Sequence, residues 1–336
     1  MKKIYLSLLC LLILGKTSAQ EILNTRWIYQ DTLSSRLIFE SKFKIGEFKE
    51  YRTTYKKNKF KGDSLVKEEI IADNVARIYV IDSTDDSYSL KFQIIKNLKE
   101  YSHEQNELIN EIKGSLNDRF TDNDLIINYT TNNAGAFEQY TNEKDVVRVL
   151  DVFMDEIRKN KLSELNKLSK KEKAKIEELL EIIATGSVLF KNLYGIPISN
   201  LHGINGLVMA IDDTLAFSER SPLVNMKKPL DSDCLLYINS VDTTTNEVEY
   251  VIEKWMDSEV LTEFMKQLLK NQFSKSELDK LNIEGYVKSV LFVDPRQNWP
   301  SLVKVIKEIY STDSASGNVE TSQEIWYLDE VIPENP

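Results

Sequence analysis

Residues 87–94 read Ser-Tyr-Ser-Leu-Lys-Phe-Gln-Ile, and this strict alternation of polar and apolar side chains decides the fold class. Every second residue falls on the same side of an extended chain, so the stretch predicts a strand that is buried on one face only. The apolar side chains on that face are Tyr88, Leu90, Phe92 and Ile94. The polar loop at residues 83–86 separates this strand from residues 77–82, and the two together predict a β-hairpin.

The same alternation recurs along the chain in short runs that are bounded by turn residues. A second hairpin is expected where residues 37–43 and 48–55 flank Gly46. Further strands are expected at residues 125–130, 136–140, 235–241, 248–255, 286–293, 302–310 and 319–328. Strands with one apolar and one polar face are typical of an antiparallel sheet that is packed on one side.

Helical periodicity interrupts this pattern of strands. Helices are expected at residues 98–112, 146–157, 169–183 and 260–268. Asn142 is the expected N-cap of the second helix, and Ser169 with Glu172 forms a capping box for the third. The sequence therefore predicts an α+β protein dominated by antiparallel sheet, with hairpins and helices packed on one face.

Residues 20–336 are expected to form a single exported domain of this kind. The order of hairpin, helix and a Ser-Glu-Leu step occurs twice, at residues 125–165 and at residues 235–278. An internal duplication and a chance similarity both explain that order. If the duplication is real, the two halves meet near Leu168.

The first residues have the pattern of a secretory signal peptide. Lys2 and Lys3 precede an apolar run at residues 4–14, and small residues follow it. This order predicts a signal peptide at residues 1–19, with cleavage between Ala19 and Gln20. The apolar run is shorter than the roughly 20 residues that a membrane-spanning helix requires.

Cys10 does not fit a lipid anchor, because apolar rather than small residues precede it and the apolar run continues after it. The mature chain is therefore expected to be soluble and exported, in the periplasm or the medium. No later stretch reaches a spanning length, so no transmembrane helix is expected.

The charge and the residue composition of the chain disfavour some classes of binding partner. The chain of 336 residues carries a net charge of −10, and loss of the three lysines in residues 1–19 makes it −13. Such a charge disfavours nucleic acid and anionic membrane surfaces as partners. After cleavage Cys234 is the one remaining cysteine, so no internal disulfide is expected, and only His103 and His202 supply imidazole.

Gly62-Asp63-Ser64-Leu65 resembles the signature of the GDSL esterase family, with Ser64 at the position of the nucleophile. The resemblance implies a preceding apolar strand and an Asp-x-x-His near the C-terminus, and this chain has neither. A serine without its base is a weak nucleophile. The expectation is a Gly-Asp turn between two strands.

Other candidate sites have structural interpretations that fit as well or better. Cys234 and His202 could form a thiol–imidazole pair, but a lone cysteine in an apolar strand is usually a core residue. The acidic pairs that could bind Ca²⁺ are Asp122 with Asp124, Asp212 with Asp213, and Asp231 with Asp233. None of these continues into a Ca²⁺ loop, and Gly203 with Gly206 lacks the rest of a phosphate-binding loop. No catalytic, metal or cofactor residue is therefore predicted.

A sheet covered by helices is similar in architecture to the half-barrels of periplasmic lipoprotein carriers. The elements that carry this likeness are the hairpin at residues 286–310 and the helix that starts near Ser258. The chain also resembles exported bacterial proteins of uncharacterised function, through its signal peptide and alternating strands. Neither resemblance implies particular site residues.

Three functional hypotheses follow. A non-enzymatic binding or carrier module of the cell envelope, with a lipid-like ligand, requires an apolar pocket between sheet and helices that is free of shifted pKa values. A structural or interaction protein with an envelope protein as partner requires a filled core and an exposed apolar patch. A carboxylate-based hydrolase requires several carboxylates that converge in a cleft.

Overall fold

The computed structural model describes residues 36–99, 125–164, 185–221, 223, 226–270, 273–313 and 317–331, with main chain alone for 156–164. Within these ranges the fold is dominated by one large antiparallel sheet that is not closed. The strands are β1 (Arg36–Ile38), β2 (Phe48–Lys61), β3 (Ser64–Ser83), β4 (Ser87–Asn97), β5 (Ile127–Asn132), β6 (Phe137–Tyr140), β7 (Val208–Ala210), β8 (Thr214–Ser221), β9 (Leu230–Asp242), β10 (Glu247–Met256), β11 (Leu281–Val293), β12 (Leu302–Asp313) and β13 (Asn318–Glu330). The predicted fold class is confirmed.

The sheet consists of two meanders that are joined by their outer strands. Its strand order is β6-β5-β4-β3-β2-β13-β12-β11-β10-β9-β8. The first meander therefore runs from β2 to β6 and the second from β8 to β13. The two short strands β1 and β7 pair with each other and form a separate ribbon.

The helices lie between strands in the chain and cover one face of the sheet. They are α1 (Glu143–Glu164), α2 (Gly186–Phe190), a π-helical turn (Lys191–Gly195), α3 (Ile196–Leu201), α4 (Ser258–Leu269) and α5 (Lys275–Leu278). We call α2, the π turn and α3 together the helical cover. Asp257 caps α4, because its side chain accepts hydrogen bonds from the N–H groups of Glu259 and Val260.

Two apolar clusters fill the space between this covered face and the helices. The larger cluster packs the helical cover and residues 39–43 against strands of both meanders. The smaller cluster packs α4 against Ile283 of β11 and Ile309 of β12. The opposite face, which we call the open face, carries polar and aromatic side chains such as Arg77, Tyr286 and Tyr310.

The predicted hairpins at residues 77–94, 125–140 and 235–255 and the three C-terminal strands are confirmed, mostly with longer strands. The helix at residues 260–268 is confirmed as α4, and the helix at residues 146–157 lies inside α1. Residues 1–35, residues 100–112, Leu168 and the helix expected at 169–183 lie outside the described residues. The signal peptide and the duplication therefore stay predictions.

The hairpin predicted from residues 37–43 and 48–55 is wrong. Residues 39–44 pass along the covered face instead of joining the sheet, and only residues 36–38 form a strand, paired with β7. Phe39 packs edge-on against Tyr250, and Phe43 packs on Trp299. The alternation correctly predicts that one side of this stretch is buried. The stretch is a loop that packs on the core, however, and not a strand of the sheet.

Asn142 lies at the N-cap position of α1, as predicted, but its side chain does not bond to the first N–H groups of the helix. The Asn142 side chain accepts from Asn128 N at 2.9 Å and donates to Ile126 O at 2.7 Å. It therefore connects the start of the helix to β5, while its main-chain carbonyl accepts from Val146 N.

Among the described helices, none has both the length and the apolar character needed to cross a membrane.

Candidate functional site

The helical cover contains a π turn because the chain has to accommodate Pro197 near the start of α3. In the π turn the N–H of Ile196 bonds to the carbonyl of Lys191, five residues earlier. The next carbonyl, that of Asn192, would need the N–H of residue 197, which proline lacks. Asn192 O is therefore left without a main-chain donor, and the turn needs a partner from the sheet.

Trp326 of β13 supplies that partner. Its indole Nε1–H donates to Asn192 O at 2.7 Å, inside the core. The indole also stacks on Tyr55 of β2, with ring centroids 4.9 Å apart and an interplanar angle of 7°. Two further side chains hold the helical cover: Tyr140 OH donates to Gly195 O at 3.0 Å, and Ser289 Oγ donates to Asn200 Oδ1 at 2.7 Å.

A small cavity of about 20 Å³ lies beside this contact, between the π turn and the sheet. Its lining residues include Tyr55, Ile94, Leu193, Pro197 and Trp326. Asn192 also lines it, and its side-chain oxygen Oδ1 is buried without a hydrogen-bond partner among the described groups. Buried polar atoms are nearly always paired, so an unpaired oxygen on a residue that lines the cavity is unusual.

A buried ionic cluster lies two residues along β13 from Trp326. Glu324 is 0% exposed, and its carboxylate accepts from Tyr55 OH at 2.5 Å. It lies 3.1 Å from Lys57 Nζ and 3.3 Å from Lys307 Nζ. Burial alone raises the pKa of the Glu324 carboxyl, but Lys307, Lys57 and the Tyr55 hydroxyl outweigh it, so the pKa is lowered. The carboxylate is therefore charged and serves as a counter-ion.

Lys191 extends this cluster from the helical cover. Burial lowers the pKa of its ammonium group to about 6, and the positive charges of Lys307 and Lys254 add to the effect. Lys254 of β10 forms an ion pair with Glu219 of β8. Ionisable groups of six elements thus meet where the two apolar clusters adjoin.

His202 lies at the other end of the helical cover and has a structural environment. Its Nδ1 is 2.9 Å from Gly135 O, which can only accept, so Nδ1 carries the proton. Its Nε2 therefore accepts from Tyr129 OH at 3.1 Å. Phe43 and Trp299 pack around the ring. Burial lowers the pKa of His202 to about 4, against the opposing effect of the Gly135 hydrogen bond.

The structure does not bring Cys234 and His202 together. Cys234 is a buried residue of β9 beside Phe217 and Lys254 in the neighbouring strands. Burial raises the pKa of its thiol to about 12. A thiol with that pKa is a core group and not a nucleophile at neutral pH.

The other candidates from the sequence have structural roles or lie outside the description. Gly62, with φ +57°, forms the hairpin turn after which Ser64 starts β3, as the turn interpretation predicts. Asp231 pairs with Arg220 at 2.8 Å, and Asp233 accepts from Ser218 Oγ at 3.3 Å.

Asp212 and Asp213 lie in and beside the turn between β7 and β8, and Gly203 with Gly206 belongs to the turns after α3. His103, Asp122 and Asp124 are not among the described residues. Within the ranges that the structure describes, no three His, Cys, Asp or Glu side chains are grouped as metal ligands.

The residues that do converge were not predicted as a site. Asn192 and Lys191 lie between the helix expected at residues 169–183 and the next expected strand, where no element was predicted. The signal that could have revealed a helix there is Thr185, whose side chain caps α2, followed by apolar residues at helical spacing. Glu324 and Lys307 lie on the apolar sides of their strands. A charged residue in such a position indicates a buried partner of opposite charge.

Comparisons with known proteins provide little information about function. No protein-family model matches the chain, and no curated protein matches it. Among solved structures, the chain is similar to part of lipovitellin, in a structure described as lipid–protein interactions in lipovitellin. The two are 11% identical with a TM-score of 0.35, over 88% of this chain and 26% of that one. The chain thus spans about a quarter of the lipovitellin chain, and this likeness does not assign a function.

The first prediction concerns the effect of His202 on stability at acidic pH. An unfolded histidine has a pKa of about 6.5, so between pH 6.5 and 4 the unfolded chain binds a proton that folded His202 does not. Stability should therefore fall on acidification through that window, by about 3 kcal/mol for this residue. Urea denaturation of the wild type and of His202→Gln at several pH values measures the difference. Equal pH dependence in both proteins would contradict the environment described for His202.

The second prediction concerns Glu324. Glu324→Gln leaves Lys57 and Lys307 without their buried counter-charge and should lower the free energy of unfolding by about 3–5 kcal/mol. Glu320→Gln is the matched control, because Glu320 pairs with Lys59 at 3.3 Å on the same two strands but is 23% exposed. That control should cost at most about 1 kcal/mol. Chemical denaturation measures both, and equal losses would refute the role assigned to the cluster.

Proposed function

We propose that this chain is an exported, non-enzymatic binding module that holds an apolar or amphiphilic ligand between its sheet and its helical cover. The observation that carries the proposal is the cavity at the π turn, which has both apolar and polar lining residues, the latter including Thr53, Thr54 and Asn74. Asn192 also lines it, and its Oδ1 is buried without a partner among the described groups. A buried acceptor without a partner costs about 1–3 kcal/mol, and a ligand that donates to it removes that cost.

The chemistry of the cavity wall supports an amphiphile. A hydroxyl or amine of the ligand can donate to Asn192 Oδ1, while Ile94, Leu193 and Pro197 offer apolar contact. The ionic cluster around Glu324 lies close by along β13 and can interact with a charged part of the ligand. This arrangement differs from the simplest carrier hypothesis, which requires a pocket without shifted pKa values, because burial raises the pKa of Tyr55, which lines the cavity.

The size of the cavity implies that the helical cover moves when a ligand binds. A volume of about 20 Å³ accommodates a group of the size of one water molecule. A longer apolar chain has to replace the contacts that α3 makes with the sheet. Such an exchange retains apolar burial, since one apolar surface takes the place of another. The hydrogen bonds from Trp326, Tyr140 and Ser289 then act as the attachments of the cover.

Native mass spectrometry of protein purified from its own envelope fraction tests the binding proposal. The wild type should carry a lipid-sized mass, and Asn192→Leu should lose most of it because the acceptor is gone and the cavity is filled. The variant should be as stable as the wild type or more stable, since it removes an unpaired buried polar atom.

Tyr250→Phe is the control for that experiment, because the Tyr250 hydroxyl is also buried and unpaired but does not line the cavity. It should have a similar effect on stability and retain the bound mass. Bare wild-type protein, or equal ligand loss in both variants, would count against a ligand site at Asn192.

Export is tested separately. Cell fractionation with mass determination of the mature protein should find a chain that begins at Gln20, outside the cytoplasm. A substitution of Ala19 by Arg should block the cleavage, whereas Thr17→Ser, which keeps a small residue, should not. A cytoplasmic chain with residues 1–19 intact would refute the proposed export.

The second candidate function, an interaction protein of the envelope, is favoured by a different observation. Apolar side chains are exposed at one end of the β2–β3 hairpin. These are Leu65, Val66 and Ile70. A stoichiometric protein partner in the native mass spectrum, in place of a lipid-sized mass, would support this candidate.

A further inference from the structure

Strand β3 is longer than the strand beside it and leaves an edge within the first meander. Its pairing with β2 extends from Ser64 to Tyr79, but its pairing with β4 begins only at Asn74. Beyond that point the N–H groups of Leu98 and Lys99 donate to Asp73 O, and Lys99 Nζ donates to Ile71 O at 3.2 Å. Among the described residues, no strand lies beside residues 64–70.

This edge is only partly protected: Lys67, Glu68 and Glu69 are charged, and the pairing with β2 shifts register at Val66. It contains no proline, and every residue from 64 to 70 is exposed. The exposed fractions of its large apolar side chains are 51% for Leu65, 54% for Val66 and 39% for Ile70. A strand with free main-chain groups and exposed apolar side chains is a template for pairing with another strand.

The sequence of the edge is complementary to itself. Residues 64–72 read Ser-Leu-Val-Lys-Glu-Glu-Ile-Ile-Ala. When this stretch is laid antiparallel on a second copy, with Glu68 on the two-fold axis, Lys67 lies opposite Glu69 of the other copy. In the same register Val66 lies opposite Ile70. Opposite charges and aliphatic pairs directly across an antiparallel ladder are the stabilising combinations.

We propose that two copies of this chain pair through the β3 edges at residues 66–70, antiparallel and centred on Glu68. A two-fold axis perpendicular to the sheet keeps the covered faces of both copies on the same side. The contact is isologous, because each copy uses the same stretch, and it closes after two copies. Lys67 and Glu69 already lie 2.6 Å apart within one copy, and in the dimer each also faces its opposite charge across the axis.

Glu68 is the one unfavourable element of this register, because it lies opposite itself. Like charges across a ladder are destabilising. Glu68→Gln should therefore strengthen the dimer, by about twofold to fivefold in its dissociation constant. Val66→Lys places a charge opposite Ile70 and should weaken it more than tenfold. A contact elsewhere on the surface would respond to neither substitution.

Disulfide trapping tests the register directly. Glu68→Cys places two cysteines opposite each other on the axis, where the Cβ atoms of paired strands are about 5 Å apart. Oxidation should produce a covalent dimer. Ile70→Cys should not, because the two copies of residue 70 are separated by four residues of strand, about 13 Å. Asp85→Cys, in an exposed loop away from this edge, is the control for random collision, and native Cys234 is buried.

Analytical ultracentrifugation of the mature chain, with these variants, decides the proposal. The expected result is a concentration-dependent dimer that Val66→Lys disrupts and Glu68→Cys traps. A monomer at all concentrations would overturn it. If the amides of residues 64–70 were protected from hydrogen exchange in that monomer, another part of the same chain would be paired with the edge. A dimer that crosslinks equally through residues 68, 70 and 85 would overturn it as well.

Discussion

The pairing of β2 with β13 is the interaction on which the rest of the structure depends. These strands lie near opposite ends of the described chain, and their register extends from Tyr51 opposite Glu330 to Lys61 opposite Glu320. Without that ladder the fold would be two separate meanders with two more open edges. The loop-closure entropy of such a distant pairing has to be offset by specific contacts. The Tyr55–Trp326 stack and the carboxylate of Glu324 between Lys57 and Lys307 supply them.

Buried charge at this seam also fixes its register. A shift of one residue along β13 would turn Glu324 toward the open face and leave Lys57 and Lys307 in the interior without a counter-ion. A shift of an apolar strand by two residues would cost much less, since one aliphatic side chain can replace another. The ionic cluster thus selects one alignment among several that apolar packing alone would tolerate. The helical cover depends on the same alignment, because Trp326 has to reach Asn192 O.

Much of the fold could be predicted from sequence because alternation is a local property. It located the long strands of the second meander and the β3–β4 hairpin, and it identified the Gly62-Asp63 turn. It could not supply the strand order, since the pairing of β2 with β13 depends on side chains hundreds of positions apart. It also misled at residues 37–43, where one-sided burial comes from packing of Phe39 and Phe43 beneath the sheet.

The candidate site was less predictable, for a related reason. His202 and Cys234 attracted attention because their side chains can do chemistry, yet burial and hydrogen bonding give both of them structural environments. Asn192 and Lys191 have no distinguishing local pattern. Pro197 has no N–H to offer Asn192 O in the π turn, and the indole of Trp326 donates to that carbonyl instead.

The division of the interior into two apolar clusters follows from the placement of charge. Along the β12–β13 ladder, Val305 and Trp326 belong to the larger cluster, Lys307 and Glu324 come next, and Ile309 belongs to the smaller one. A buried ion pair needs all its partners in place, so the packing on either side of it is constrained where the cluster lies. The helical cover packs on the side of Trp326 and α4 on the side of Ile309. The helical cover and α4 therefore pack on separate apolar clusters, with an ionic boundary between them.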